Sequence, residues 1–99
     1  MIIVAGTIRI PADKIEALRP TAEATLLATR KEKGCIVYSY AFDLLEKGLI
    51  RIYEEWESLA HLQEHLKQPH MGPWRAKLAE IGASDRNIKR FEAGKGEQL

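Results

Sequence analysis

A chain of 99 residues is long enough for one domain, and a domain of this size buries only a small core. Charged residues make up 29% of the composition, yet the net charge is only +1 because acidic and basic residues are interspersed. This balance argues against a basic nucleic-acid-binding surface or an attraction to anionic lipid, so we expect neither nucleic acid nor membrane as a partner.

The cysteine content and the N-terminal sequence bear on the compartment. Cys35 is the one cysteine and has no partner for an intramolecular disulfide. The start of the chain, MIIVAGTIRIP, lacks the basic residues and the long apolar run of a secretion signal. No apolar stretch approaches the roughly 20 residues that a membrane-spanning helix needs. These features predict a soluble, cytoplasmic protein.

The first third of the chain predicts a strand followed by a helix. The segment Ile2 to Ile10 is rich in β-branched residues and ends at Pro11, as a strand does where a ladder donor is lost. Residues 13–33 favour a helix, because apolar residues recur at helical spacing and Gly34 stands where a left-handed cap belongs. Pro20 is expected to kink or split this helix.

The next two strands are predicted to form a hairpin. In residues 35–43, CIVYSYAFD, the aromatic side chains and Ile36 fall on one face, and Cys35 falls on the other. After the turn residues EKG, residues 49–56 continue as the paired strand.

The remainder predicts a helix in two pieces and a final strand. Ser58 is a suitable N-cap for a short helix with leucines at helical spacing. The stretch from Pro69 to Pro73 breaks this helix before a second one that contains Trp74. A weakly marked last strand is expected over residues 87–92.

The order β-α-β-β-α-β predicts an α+β fold of the ferredoxin-like, split βαβ type, with a four-stranded antiparallel sheet and helices on one face. We expect one domain over residues 1–93 and a flexible tail over residues 94–99. The first two strands carry apolar residues on both faces, so the face without helices also needs burial. A homodimer formed through the sheets would provide it.

All three histidines and both tryptophans lie between Trp56 and Trp74. His65 borders the apolar face of its helix, where partial desolvation can poise an imidazole near neutral pH for use as a general base; a packing histidine is the alternative. His61 and His65 are four residues apart, which can serve a metal, but no further ligand stands at a suitable spacing, so we predict no metal site. His70 falls in the break between helices, where loop residues often carry function.

Glu54 and Trp56 share one face of the third strand. If helices cover this face, the Glu54 carboxylate lies inside the domain and must be paired or hydrogen-bonded. Its candidate partners are Arg75, Lys77 or a histidine. A tryptophan at position 56 is more often a core residue than a platform for a ligand.

Two motifs, EKGCIVY from Glu32 to Tyr38 and IYEEWESLAHLQEHLKQPH from Ile52 to His70, are specific in combination. They resemble the antibiotic biosynthesis monooxygenase family, whose members are small dimeric α/β-barrel proteins. The resemblance implies a cavity between sheet and helices in which dioxygen oxidises a phenol, a hydroquinone or a polycyclic aromatic compound. It also implies that no flavin, haem or metal takes part, so we expect no cofactor.

Such a reaction requires only a few functional groups from the protein. Deprotonating an electron-rich phenol yields an anion that can pass an electron to oxygen, so a base, a dry cavity and orientation suffice. On the matching positions the resemblance implies that His65 is the base or proton shuttle, Trp56 a wall or hydrogen-bond donor, and His70 a second polar contact. The residues expected to bind substrate are Tyr38, Tyr40 and Glu54.

The same fold hosts several functions, so the fold does not decide among them. Haem-degrading relatives use an asparagine on the first strand, where this chain has Thr7, and haem degradation is therefore disfavoured. Two further functions stay open: a non-catalytic small-ligand-binding or stress-protective module, and an isomerase of a small carbonyl compound.

Overall fold

The computed structural model describes every residue from Met1 to Leu99. Its helices and strands are β1 (Ile2–Arg9), α1 (Ile15–Thr29), β2 (Cys35–Phe42), β3 (Leu49–Trp56), α2 (Leu59–Leu66), α3 (Met71–Ile81) and β4 (Ser84–Glu92). A short 3-10 turn, Ala12–Lys14, precedes α1. The last strand begins three residues before its predicted start, and residues 93–99 have no regular secondary structure.

The four strands form one antiparallel sheet in the order β2-β3-β1-β4. The side chains of one sheet face pack with side chains of the three helices, so the predicted α+β ferredoxin-like fold is confirmed. None of the helices is long and apolar enough to cross a membrane.

The predicted split of the first helix is wrong. Pro20 lies inside α1, which continues from Ile15 to Thr29. Proline at this position removes one hydrogen bond, to the carbonyl of Glu16 in the first turn, and both residues are exposed so that water can satisfy that carbonyl. Gly34 does adopt a left-handed conformation, with φ of 84°, but it lies in the turn before β2 and not at the helix end.

A bulge at the start of β2 also corrects the sequence analysis. Cys35 pairs with Trp56 but Val37 pairs with Glu55, so Ile36 is an extra residue in the strand. Cys35 consequently packs in the core beside Trp56, and Ile36 is left 49% exposed. The predicted alternation placed these two side chains on the wrong faces, because a strict period of two takes no account of a bulge.

The buried apolar residues form two clusters between the sheet and the helices. The larger cluster contains Ile8, Ile10, Leu18, Ile50, Ile52, Met71, Trp74 and Ile81. The smaller one contains Ile2, Val4, Tyr38, Trp56 and Leu62. Members of both clusters line one cavity, so the core is built around a space and does not fill the domain completely.

The other face of the sheet also carries apolar side chains. Ile3 pairs with Phe91, and Ala5 pairs with Tyr53. Phe91 is 50% exposed and Tyr53 is 39% exposed in the single chain. This outer face, defined by Ile3, Ala5, Val37, Tyr53 and Phe91, is the surface for which the sequence predicts a partner.

At Gly6, strand β1 approaches strand β4 so closely that a larger residue does not fit. A Cβ atom at position 6 would lie 2.0 Å from the carbonyl oxygen of Asn87 on β4, and this backbone atom has no room to move. We expect Gly6→Ala to lower the free energy of unfolding by about 1–3 kcal/mol or more, as overpacking does. Urea denaturation followed by tryptophan fluorescence measures the change.

Gly72 in the first turn of α3 provides the matched control, because nothing lies within 4 Å of a Cβ atom added there. Gly72→Ala should raise the free energy of unfolding by about 0.4–1 kcal/mol through the lower entropy of the unfolded chain. Equal stability of the Gly6 variant and the unmodified protein would show that β1 and β4 are not packed as described.

Candidate active site

A cavity of about 360 Å³ lies between the inner face of the sheet and helices α2 and α3. Of its 16 lining residues, 11 are hydrophobic, so the space suits an apolar or aromatic ligand. The other five lining residues are Glu54, His65, Arg75, Arg86 and Arg90, and the hydroxyl groups of Tyr38 and Tyr40 add to the polar groups.

His65 enters the cavity from α2 and is only 1% exposed. Its Nδ1 donates a hydrogen bond of 2.8 Å to Oε2 of Glu32. Burial lowers the pKa of His65, although the neighbouring carboxylate acts in the opposite direction. The imidazole is therefore neutral near neutral pH, with its proton on Nδ1 and its lone pair on Nε2.

The lone pair on Nε2 is available to a ligand. No fully buried side-chain nitrogen or oxygen in the protein lacks a hydrogen-bond partner. Nε2 of His65 has no such partner, so it is not sealed inside the packing and meets the space of the cavity that His65 lines. This arrangement is that of a general base whose second nitrogen is fixed by a carboxylate.

Glu32 lies in the turn after α1 and joins His65 to His70. Its Oε2 also accepts a hydrogen bond of 2.9 Å from Nε2 of His70, which lies 3.1 Å from the Thr29 hydroxyl oxygen. Each of Glu32, His65 and His70 offers one ligand atom, all within 4.8 Å of one another. Two imidazoles and a carboxylate form a donor set that zinc accepts, and here hydrogen bonds among the three satisfy the same atoms.

Glu54 lies on β3 in the wall of the cavity and is 7% exposed. Its Oε1 accepts a hydrogen bond of 2.9 Å from Nε1 of Trp56, so the predicted partners (Arg75, Lys77 or a histidine) are wrong. The indole of Trp56 can reach Glu54 because residues two apart on a strand point to the same face of the sheet. Burial raises the pKa of Glu54 to about 7, against the opposing effects of the Trp56 hydrogen bond and the Arg86 charge.

Aromatic side chains form one wall of the cavity. The hydroxyl groups of Tyr38 and Tyr40 lie 2.5 Å apart in a hydrogen bond, and the Tyr40 ring stacks on Trp74 with centroids 4.9 Å apart. Burial raises the pKa of both tyrosines, so both hydroxyls keep their protons at neutral pH. One hydroxyl donates to the other, so the wall offers flat apolar rings together with one remaining O–H donor.

The structure divides the predicted site residues into two groups. Tyr38, Tyr40, Glu54 and His65 line the cavity. Trp56 and His70 do not line it. Trp56 is completely buried, with its ring centroid 4.7 Å from that of His65. His70 is hydrogen-bonded to the same Glu32 carboxylate that holds His65.

Several residues of the site were missed in the sequence. Glu32 stands 33 positions before His65, and its only signal was its place at the start of the motif EKGCIVY. Trp74 was predicted only as a member of the second helical piece. Arg86 and Arg90 were missed because β4 is weakly marked and its alternation is mostly polar.

Comparison with known proteins assigns the family. Residues 1–77 match the profile of the antibiotic biosynthesis monooxygenases. The chain belongs to the antibiotic biosynthesis monooxygenase family. The probable quinol monooxygenase YgiN of Escherichia coli K12 is 39% identical over 72 residues, which cover 65% of this chain and 68% of YgiN. The uncharacterized protein sll1783 of Synechocystis is 29% identical over 98 residues, which cover 99% of this chain and 67% of that protein.

The structural likeness extends over the whole chain. A crystal structure of a candidate antibiotic biosynthesis monooxygenase from Deinococcus radiodurans superimposes with a TM-score of 0.92 at 30% sequence identity, covering 100% of this chain and 98% of that one. β4, which lies beyond the residues that match the family profile, is therefore part of the shared fold.

The buried Glu54 should make stability depend on pH. Its pKa is about 7 in the folded chain against 4.5 as the ordinary value, so between these pH values the folded state holds a proton that the unfolded state has lost. The free energy of unfolding should therefore fall as the pH rises through this window. Glu54→Gln should remove this dependence and be more stable than the unmodified protein by up to about 3 kcal/mol at about pH 8.

Urea denaturation at about pH 5 and about pH 8 measures this difference. Glu57→Gln, at an exposed position just after β3, is the matched control and should leave the pH dependence unchanged. A parallel pH dependence in the Glu54→Gln variant and the unmodified protein would contradict the assignment.

Proposed function

We propose that this protein is a cofactor-independent monooxygenase that oxidises a quinol-like or polycyclic aromatic substrate with dioxygen. The observation that carries the proposal is the neutral His65, fixed by Glu32 and open to an apolar, aromatic-walled cavity. Family membership supports the reaction class, and the relative YgiN is named a probable quinol monooxygenase.

Substrate binding would use the apolar part of the cavity. A planar ring system packs against the wall formed by Tyr40 and Trp74, whose rings are stacked within 15° of parallel. Aromatic rings prefer such offset stacking, and the surrounding aliphatic side chains exclude water from the reacting carbon. The phenolic hydroxyl is then directed to Nε2 of His65.

The reaction would begin with proton transfer from the substrate hydroxyl to Nε2 of His65. The resulting anion gives one electron to dioxygen, and the radical pair combines to form a carbon–oxygen bond and a peroxide. Loss of water from the peroxide leaves a carbonyl group. One oxygen atom enters the product and the other leaves as water. The substrate loses two hydrogens and gains one oxygen atom, which together make a four-electron oxidation that matches the four-electron reduction of dioxygen, so no external reductant is needed.

Glu54 would supply the proton that the peroxide requires. With a pKa of about 7, its carboxyl group is partly protonated at neutral pH, and it lies in the same cavity as His65. A neutral base and a protonated acid in one cavity allow a proton to be taken and returned without contact with bulk water. Within the hydrogen-bonded pair of Tyr38 and Tyr40, the hydroxyl that does not donate to the other would donate to the oxygen anion and stabilise it.

We also propose that the protein acts as a homodimer formed through the outer face of the sheet. The apolar side chains there are left partly exposed in the single chain, and so small a domain gains from their burial. A twofold arrangement pairs this face with itself.

Light scattering at micromolar concentration should show a dimer, and Ala5→Glu, which places a charge in the middle of the outer face, should shift it to a monomer. Lys14→Glu, at an exposed position before α1, is the control and should remain dimeric. A monomeric unmodified protein would contradict this proposal.

Oxygen consumption by the purified, chelator-treated protein with a panel of quinols and anthrone-like phenols tests the catalytic proposal. Removing the base in His65→Ala should lower kcat/KM by about 10²–10⁴-fold. His61→Ala is the matched control, because His61 lies in the same helix but packs over Gly34 outside the cavity, and it should keep full activity.

Glu32→Gln separates a catalytic base from a packing histidine. It preserves the shape of the side chain but weakens the hydrogen bond to the Nδ1 proton of His65, so activity should fall while urea denaturation shows an intact fold.

Activity that a chelator removes and zinc restores would assign the Glu32–His65–His70 cluster to a metal and contradict the cofactor-independent mechanism. Tight binding of phenols without oxygen uptake would favour a ligand-binding module.

A further inference from the structure

Three arginines meet at the mouth of the cavity. Arg75 comes from α3, whereas Arg86 and Arg90 come from β4. Arg90 pairs with the buried Val4, which places it on the inner face of the sheet. The three arginines are exposed to solvent, whereas the acid and base side chains are buried. The cavity therefore has a cationic rim and a reactive interior.

None of these guanidinium groups forms an ion pair with a carboxylate. The arginines that form ion pairs with carboxylates are Arg9, Arg19 and Arg51. Arg75 donates a hydrogen bond of 2.7 Å to the main-chain carbonyl of Leu66, and Arg86 and Arg90 have no hydrogen-bonded or ion-paired partner. The only arginine elsewhere without a carboxylate partner is Arg30, so the unpaired positive charge is concentrated at one cavity.

The lining of the cavity carries a net positive charge. Glu54 is the one carboxyl group in it, and it is partly protonated at neutral pH. His65 is neutral there and offsets nothing. Because the whole chain has a net charge of only +1, this excess is a local property of the cavity.

We propose that the substrate carries a carboxylate in addition to its phenolic hydroxyl, and that Arg75, Arg86 and Arg90 bind this carboxylate. The inference rests on the proposed oxidation of a phenol and adds the anionic substituent. A planar guanidinium matches a carboxylate with two parallel hydrogen bonds, and a positive rim steers anions towards the cavity. Anchoring the carboxylate at the rim presents the hydroxyl at the other end of the ring system to His65.

Binding of two matched ligands tests the proposal. 2-Naphthol and 6-hydroxy-2-naphthoate share the ring and the hydroxyl group and differ by the carboxylate at the far end. Isothermal titration calorimetry at neutral pH should show that the naphthoate binds at least about tenfold more tightly, the size of one charge-assisted hydrogen bond. Added salt should weaken the binding of the naphthoate and leave the binding of the naphthol unchanged.

Arginine variants locate the effect. Arg86→Gln should raise the Kd of the naphthoate by about tenfold, and the double variant Arg75→Gln/Arg86→Gln should raise it further. The Kd of the naphthol should change by less than about twofold in both variants. Arg19→Gln removes the same charge from the surface of α1, outside the cavity, and should affect neither ligand. Circular dichroism confirms that each variant is folded.

Three results would overturn the proposal: no binding of the naphthoate, equal binding of both ligands, or an equal loss of both in Arg86→Gln. The last would show that Arg86 contacts the phenol or shapes the cavity. These measurements do not depend on turnover. Selective binding of the naphthoate without oxygen uptake from any phenol would therefore contradict the proposed oxidation and leave the anion site intact.

Discussion

The hydrogen bond from His65 to Glu32 is the interaction on which the rest of the site depends. Without this contact, a neutral imidazole that is 1% exposed could carry its proton on either nitrogen. The carboxylate fixes the proton on Nδ1 and so leaves Nε2 as an acceptor in an apolar space. Because Glu32 belongs to the turn after α1 and His65 to α2, the same contact also ties two helices together at the site.

Glu54 and His65 illustrate how burial can prepare both an acid and a base within one cavity. Desolvation disfavours the charged form of each group, and it therefore raises the pKa of the carboxyl and lowers that of the imidazole. Both shifts favour the uncharged forms, a protonated carboxyl group on Glu54 and an imidazole with a free lone pair on His65. Burial outweighs the neighbours in both cases, since the Trp56 hydrogen bond and the Arg86 charge favour the ionised form of Glu54, and the Glu32 carboxylate favours the protonated form of His65.

Local patterns in the sequence were sufficient for the fold but not for the site. Strand alternation, the Ser58 cap, the helix break at Pro69 and the turn at Gly34 are encoded within a few residues, and they fix the order of elements. The pairing of Glu32 with His65, 33 positions apart, arises only when the turn after α1 meets α2. The bulge at Ile36 depends on the register with β3, which no single strand reveals.

In the proposed homodimer, burial of the outer face of the sheet would add to the stability of so small a domain. The inner face encloses a cavity and four buried polar or charged side chains, Thr25, Thr29, Glu54 and His65, so it stabilises the fold less than a filled apolar core would. Apolar side chains such as Phe91 on the outer face can offset this only when a second chain buries them. Since β4 carries Phe91 outward and Arg86 and Arg90 inward, dimerisation would also hold the strand that supplies two of the three arginines at the mouth of the cavity. In that arrangement, the proposed dimer interface and the arginines proposed to bind the substrate would lie on opposite faces of one strand.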